Sequence, residues 1–103
     1  MVQKTVAGKS IDVNEEGYMT DPSEWSKDIA IEFAKEQGIT LTDKHYDVLD
    51  YLRKNWEMGV ALSLRKVGNS GIIDIKGLYE LFPGGPLKKS ALIAGIPKPA
   101  SCV

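Results

Sequence analysis

The chain has 103 residues and a formal net charge of −1, with 43% hydrophobic and 26% charged residues. This composition is typical of one small globular domain and excludes the collagen-like, low-complexity and disordered classes. No apolar run approaches the roughly 20 residues of a membrane span, and the start lacks a signal-peptide core, so a cytoplasmic protein without a membrane partner is expected. One cysteine and one histidine exclude an internal disulfide framework and a zinc cluster built from them, and no cofactor is expected.

The chain begins with a predicted β-hairpin and a first helix. Two segments rich in β-branched residues, Val2–Val6 and Lys9–Val13, flank a glycine-containing turn and predict the hairpin. Asp21 is the expected N-cap of a helix with Pro22 at its first position, because proline is tolerated where no backbone donor is needed. Gly38 ends that helix.

A second helix is predicted between the cap Thr42 and the stop Gly59. Apolar side chains recur along the predicted helices at three- and four-residue spacing and indicate core positions. These side chains are Trp25, Ile29, Phe33, Val48, Leu49, Leu52, Trp56, Ile75, Leu78, Tyr79, Leu81 and Phe82. The single histidine, His45, shares this stripe and is interpreted as a half-buried core residue, with a role as proton acceptor for a thiol as the alternative.

The second half predicts three shorter helices and an extended end. The predicted helices are Ala61–Val67, Ile72–Phe82 and Leu87–Ala94. Two prolines after Gly95 forbid helix and favour an extended backbone. We expect a mainly α fold with a small N-terminal β-hairpin (α+β), a compact bundle of about five helices. Residues 1–95 form a single domain, and residues 96–103, called the arm below, form a flexible C-terminal segment.

Cys102 is the only cysteine and lies in the predicted arm, one residue before the end. A structural cysteine is normally buried, and the arm provides no element to bury it. A thiol on a stiff tether suits a carrier, whose thiolate attacks a donor, holds the transferred group and presents it to an acceptor. The alternative is an incidental residue near a chain end, and the residues alone leave both interpretations open.

Charge is distributed unevenly along the chain. Residues 1–58 carry a net charge of −5 and residues 59–103 a net charge of +4. The basic residues expected near the thiol are Arg65, Lys88, Lys89 and Lys98. They predict an electropositive surface that lowers the pKa of the thiol or docks an acidic partner, and a solvated basic end is the alternative.

Several motifs occur in a characteristic order. The C-terminal ones are Leu78–Pro83, Gly85-Pro86, Ala94–Pro99 and Cys102-Val103. The upstream ones are Gly17-Tyr18, Trp25, Gly38-Ile39, Leu41-Thr42, His45-Tyr46 and Leu52-Arg53. In this order and spacing, essentially the whole chain resembles the DsrC/TusE family.

The resemblance implies a small cytoplasmic sulfur carrier whose penultimate cysteine, here Cys102, forms a persulfide. In the TusE branch, the implied partners are a TusBCD-like sulfur donor and an MnmA-like acceptor that thiolates tRNA. In the DsrC branch, the carrier serves dissimilatory sulfite reductase as its gamma subunit, and a second cysteine eleven residues earlier joins the penultimate one. Ala91 occupies that position here, so a single-thiol relay is favoured.

We therefore expect a sulfurtransferase-type carrier rather than a standalone enzyme. The alternative within the family is a DsrC-like accessory protein of a sulfite reductase system. An alternative from another class is a helix-turn-helix regulator built around the turn at residues 68–71. The near-neutral charge and the absence of a base-reading set of side chains argue against direct nucleic-acid binding.

Overall fold

The structure, a computed structural model, describes residues 2–99. Over this range the chain forms a hairpin, a short 3-10 helix and five α-helices, which confirms the predicted fold class. The elements are β1 Val2–Val6, β2 Lys9–Val13, the 3-10 helix Pro22–Glu24, α1 Lys27–Glu36, α2 Asp43–Glu57, α3 Leu64–Gly68, α4 Ile75–Leu81 and α5 Pro86–Ile93. Within the described range, no helix is long and apolar enough to cross a membrane.

The hairpin forms as predicted and contacts α1 through Lys4. Its strands pair antiparallel over their full length. Ala7 and Gly8 both have positive φ, as a two-residue hairpin turn of type I′ requires. The ammonium of Lys4 donates to the carboxylate of Glu36 at 2.8 Å, which joins the first strand to the end of α1. One face of the hairpin is buried through Val6, Ile11 and Val13.

The predicted first helix is wrong in one respect, because it is divided into two pieces. Asp21 caps the short 3-10 helix by accepting from the backbone N–H of Ser23. Trp25 is then extended, with ψ 148°. Ser26 provides a second cap, whose hydroxyl accepts from the N–H of Ile29 at the start of α1. Trp25 therefore lies before α1 and not on its apolar stripe.

The predicted starts of α3 and α4 are each three residues too early. Ser63 accepts from the N–H of Lys66 at 3.0 Å, and Asp74 accepts from the N–H of Gly77 at 2.7 Å. These two cap residues have extended backbones and mark the true helix starts. The other two predicted helices agree more closely with α2 and α5.

Helix α5 lies at the centre of the body and contacts α1, α2 and α4. The largest fully buried side chains are Phe33, Phe82, Ile11, Met19, Ile29, Leu49, Leu52, Leu78, Ile93, Ile96, Val48 and Val67. Three predicted core residues are instead exposed: Trp56 by 40%, Ile75 by 41% and Tyr79 by 49%. Trp56 lies in the last turn of α2, and the short helix α4 buries only Leu78 fully, so these side chains face solvent.

Candidate functional site

The C-terminal end of α5 is closed by a Schellman motif that leads directly into the arm. Gly95 has φ +71° and donates its N–H to the carbonyl of Leu92 at 3.2 Å. The N–H of Ile96 donates to the carbonyl of Ala91, also at 3.2 Å. The side chain of Ile96 is 1% exposed. The first residue of the predicted arm therefore belongs to the hydrophobic core, while the division of the chain at residue 95 stays a prediction.

Gly95 is required by packing as well as by backbone conformation. A Cβ atom at this position would overlap the indole ring of Trp25 and come within 2.9 Å of the sulfur of Met19. The positive φ independently disfavours any residue with a side chain. The indole ring therefore lies directly against the backbone from which the arm begins.

Two side chains distant in sequence bind the last carbonyls of α5. The indole Nε1 of Trp25 donates to the carbonyl of Ile93 at 2.8 Å. The guanidinium Nη1 of Arg53 donates to the carbonyl of Ala94 at 2.7 Å. The terminal carbonyls of a helix lack partners within the helix, so these bonds satisfy groups that would otherwise need water. Neither residue was predicted as a site residue.

The described part of the arm lies along the segment that joins α2 to α3. A cavity of about 220 Å³ separates the two segments. It is lined by Trp56, Val60, Ala61, Leu62, Ile96, Pro97, Lys98 and Pro99. The exposed side chain of Trp56 therefore lines the cavity beside the arm.

Two of the predicted lysines share a cavity with Glu16, and the third pairs with its carboxylate. Lys88 and Lys89 line a cavity of about 240 Å³ together with Glu16 and Tyr18. The ammonium of Lys98 lies 2.8 Å from the carboxylate of Glu16. The structure thus brings together residues from the loop after the hairpin, the first turns of α5 and the arm. We call Lys88, Lys89, Lys98 and Glu16 the lysine face.

His45 lies inside the body. Its Nδ1 accepts from the backbone N–H of Thr42 at 3.0 Å, which makes Nε2 the donor to the carbonyl of Leu81 at 2.9 Å. The ring also meets Phe82 edge-on, with centroids 5.1 Å apart. These contacts account for His45 as a core residue that ties the start of α2 to the end of α4. Its alternative role toward the thiol stays a prediction.

Arg65 and Cys102 complete the set of predicted site residues. Arg65 is exposed on α3, on a different element from the lysine face. Cys102 lies outside the described residues. The predicted roles of both residues therefore stay predictions.

Known proteins match the chain over almost its whole length. The family model described as "DsrC like protein" matches residues 5–103. Sulfurtransferase TusE from Escherichia coli (strain K12) is 34% identical over 105 residues, covering 93% of this chain and 95% of that protein. The NMR structure of Allochromatium vinosum DsrC has a TM-score of 0.81 and 36% identity, covering 98% of this chain and 97% of that one.

A second solved structure gives the same result. The oxidized gamma-subunit of the dissimilatory sulfite reductase (DsrC) from Archaeoglobus fulgidus has a TM-score of 0.83 and 32% identity, covering 99% of this chain and all of that one. Fold and sequence thus define a small α+β protein with the architecture of sulfur-relay carriers. The chain belongs to the DsrC-like family, which confirms the resemblance seen in the sequence. The helix-turn-helix alternative is not retained.

Proposed function

We propose that this protein is a sulfur-relay carrier in which Cys102 accepts a sulfane sulfur as a persulfide and passes it to a second protein. The observation that carries the proposal is the closed end of α5. The body is fixed up to Ile96, and two prolines then separate it from the only thiol of the chain. A rigid body with a thiol at the end of a short tether suits delivery into a partner's site.

The chemistry needs two exchange steps and no external oxidant or reductant. In the first step, the thiolate of Cys102 attacks the outer sulfur of a donor persulfide. The bond between the two donor sulfurs breaks, the donor leaves as a thiolate, and Cys102 carries the persulfide. In the second step, an acceptor thiolate attacks the outer sulfur, and Cys102 leaves as a thiolate. Sulfur moves while the number of thiols and persulfides is conserved.

The lysine face supports docking to acidic partners. Lys88 is exposed, Lys89 is half-buried, and both line an open cavity beside the loop that holds Glu16. Lys88 and Lys89 beside this cavity and Lys98 on the arm contribute a local positive potential, which steers an acidic surface toward the lysine face. The proposed partners are a TusBCD-like donor and an MnmA-like acceptor, in keeping with relatives named sulfurtransferase TusE.

A second candidate is an accessory role in a sulfite reductase system. It is favoured by the similarity to the DsrC structures at 32–36% identity. Ala91, which replaces the second cysteine of that branch, argues against it, because its buried methyl group forms no disulfide with Cys102. Copurification decides between the branches, since one predicts a tRNA-thiolating enzyme and the other a sulfite reductase.

We further propose that the protein acts in the cytoplasm. A relay thiol must return to its reduced form after each transfer. The cytosol keeps thiols reduced, whereas oxidising compartments convert them to disulfides. Fractionation of cells expressing the protein at natural levels tests this assignment.

Loading is tested by intact-mass spectrometry after incubation with glutathione persulfide. The wild-type chain should gain about 32 Da, one sulfur atom, and lose it again when an acceptor thiol is added. Peptide mapping should place the added sulfur on Cys102. The mass gain should be absent from Cys102→Ser, which keeps a side chain of similar size.

Docking is measured separately with a candidate partner. Cys102→Ser should bind that partner with unchanged affinity, because the substitution leaves every residue of the lysine face in place. In the loading experiment, a mass gain in Cys102→Ser, or no mass gain in the wild-type chain, would contradict the proposal.

A further inference from the structure

The guanidinium of Arg53 joins three separate segments of the body at the point where the arm begins. Its Nη1 donates to the carbonyl of Ala94 at the end of α5, and its Nη2 donates to the carbonyl of Pro22 at 3.0 Å. The same group lies 4.3 Å from the ring centroid of Trp25. Charge-assisted bonds of this kind are stronger than neutral ones, and a cation is favoured at a helix C-terminus.

The half-buried position of Arg53 has an electrostatic cost. Burial lowers its pKa below the ordinary value, and the nearby carboxylates of Glu57 and Asp50 oppose that shift. The guanidinium still remains charged at neutral pH, because an ordinary arginine titrates far above it. An apolar side chain of similar volume would avoid this desolvation. Arginine instead provides a defined geometry, because the two nitrogens of its planar guanidinium fix the carbonyls of Ala94 and Pro22 relative to each other.

Trp25 completes this arrangement on the other side. Its Nε1 binds the carbonyl of Ile93, and its ring lies against the backbone of Gly95. Two consecutive carbonyls of α5, those of Ile93 and Ala94, are therefore each bound by a side chain from elsewhere in the chain. With Ile96 buried, Pro97 is the first exposed residue after these two bound carbonyls.

We infer that Arg53, held on Trp25, is a positioning residue that fixes the direction in which the arm leaves the body. We call the two side chains the arm clamp. The clamp places the pivot of the arm at Pro97 and prevents the glycine at the helix end from acting as a hinge. This inference rests on the proposed function where it concerns sulfur transfer, but the direction of the arm is measurable without any sulfur chemistry.

The direction of the arm is tested with a nitroxide attached to Cys102, the only cysteine. In the wild-type protein, paramagnetic broadening should be confined to a compact set of amides around the arm. In Arg53→Lys, a single ammonium replaces the fork, so the set of broadened amides should widen at least about twofold. Lys54→Met is the matched control, because it removes a neighbouring exposed charge of α2 without a bond to α5.

Trp25→Phe provides a second variant. It keeps an aromatic ring against Gly95 and Arg53 but removes the donor to the carbonyl of Ile93. The broadening should widen less than in Arg53→Lys, because the guanidinium fork still joins the carbonyls of Ala94 and Pro22. Thermal unfolding of each variant establishes that the measured protein is folded.

Sulfur transfer provides the second readout. Loading of Arg53→Lys by glutathione persulfide should match the wild type, because a small donor needs no fixed arm. Transfer from the loaded variant to a protein acceptor should fall about tenfold in kcat/KM, since misplacement of a reacting group is costly. Failure of the wild type to load would refute the proposed function and leave the broadening test of the clamp intact. An unchanged broadening pattern in both variants would overturn the inference.

Discussion

The two ends of α5 are built in opposite ways. Its C-terminal end is closed by the Schellman motif, by the arm clamp and by the buried side chain of Ile96. At its N-terminal end, Gly84 and Gly85 both have positive φ, and no side chain caps the helix. Lys88 and Lys89 lie there beside an open cavity.

The difference separates two requirements of a relay protein. The closed end depends on partly buried bonds and close contacts, which salt screens less than exposed charges and which transmit a defined geometry. The lysine face depends on exposed charges, which act over distance and weaken as ions screen them. A change at the first end should therefore alter stability, and a change at the second should alter association.

The largest effect is expected from Gly95→Ala at the closed end. Adopting a left-handed conformation costs a residue with a side chain about 1–2 kcal/mol, and overpacking costs a further 1–3 kcal/mol or so. Because the new methyl group would overlap the ring of Trp25, we expect a total loss of about 2–5 kcal/mol in the free energy of unfolding. Urea denaturation measures it.

Gly38→Ala is the matched control for this prediction. Gly38 has φ +72°, nearly the same as Gly95, but no atom lies within 4 Å of its hypothetical Cβ. Its substitution should cost only the conformational part, about 1–2 kcal/mol. Equal losses at the two positions would show that contact with Trp25 contributes nothing.

A smaller effect is expected at the lysine face. Changing Lys88 and Lys89 together to Glu should slow association with an acidic partner about tenfold at low salt, because electrostatic steering is reversed. The free energy of unfolding should change by less than about 1 kcal/mol for the two substitutions together, since a substitution away from the core usually changes it by no more than about 0.5 kcal/mol. Stopped-flow association at several salt concentrations measures the first effect.

Two controls sharpen the salt experiment. Glu16→Gln removes the carboxylate of the lysine face, so association should accelerate rather than slow. Lys9→Glu combined with Lys76→Glu changes the net charge by the same amount at two exposed positions on β2 and α4. If the Lys9 and Lys76 substitutions slow association as strongly as those at Lys88 and Lys89, the slowing is caused by the net charge and not by the lysine face.

The smallest effect concerns Asp21, which caps the segment that carries Pro22. Hydrogen bonds from the hydroxyl and then the backbone N–H of Ser23 lower the pKa of Asp21 below its ordinary value of 3.8. A carboxyl with a lowered folded-state pKa stabilises the fold above its unfolded pKa, and this stabilisation is lost as pH falls through the folded pKa. The effect should therefore disappear at acidic pH below about 4.

Asp21→Asn tests this prediction because asparagine caps without titrating in this range. The difference in urea midpoint between the two proteins should be constant near neutral pH and should shrink over the acidic interval below about pH 4, where the unfolded and then the folded carboxyl is protonated. A difference that stays constant over this interval would show that Asp21 contributes through its shape and not through its charge.

Local signals explain how far the fold was predictable. The hairpin and the end of α2 carry their own turn and stop residues, and both agree with the structure. The starts of α3 and α4 were misplaced although their caps, Ser63 and Asp74, stand in the sequence. The apolar residues Ile72 and Ile73 continue the helical pattern upstream of the cap, but they pack against the core from a loop.

The parts of the site that could be predicted are those whose residues are neighbours in the sequence. The lysines of α5 and the proline-rich end are visible in the sequence, whereas the arm clamp is not. Arg53 is 41 residues from Ala94 and 31 from Pro22, so no periodicity or short motif relates them. The pair of Lys98 with Glu16 spans 82 residues and depends equally on the finished fold.

The burial of Ile96 limits how far the thiol can travel. Six residues lead from it to Cys102, and six residues span at most about 20 Å when fully extended. Once a partner has docked, the tethered thiol meets the partner's sulfur at an effective concentration on the order of millimolar, regardless of how dilute the proteins are. Sulfur transfer then becomes a first-order event within the complex. Its yield depends on whether the complex outlives that event, and both partners must place their reactive sulfur within the same short radius.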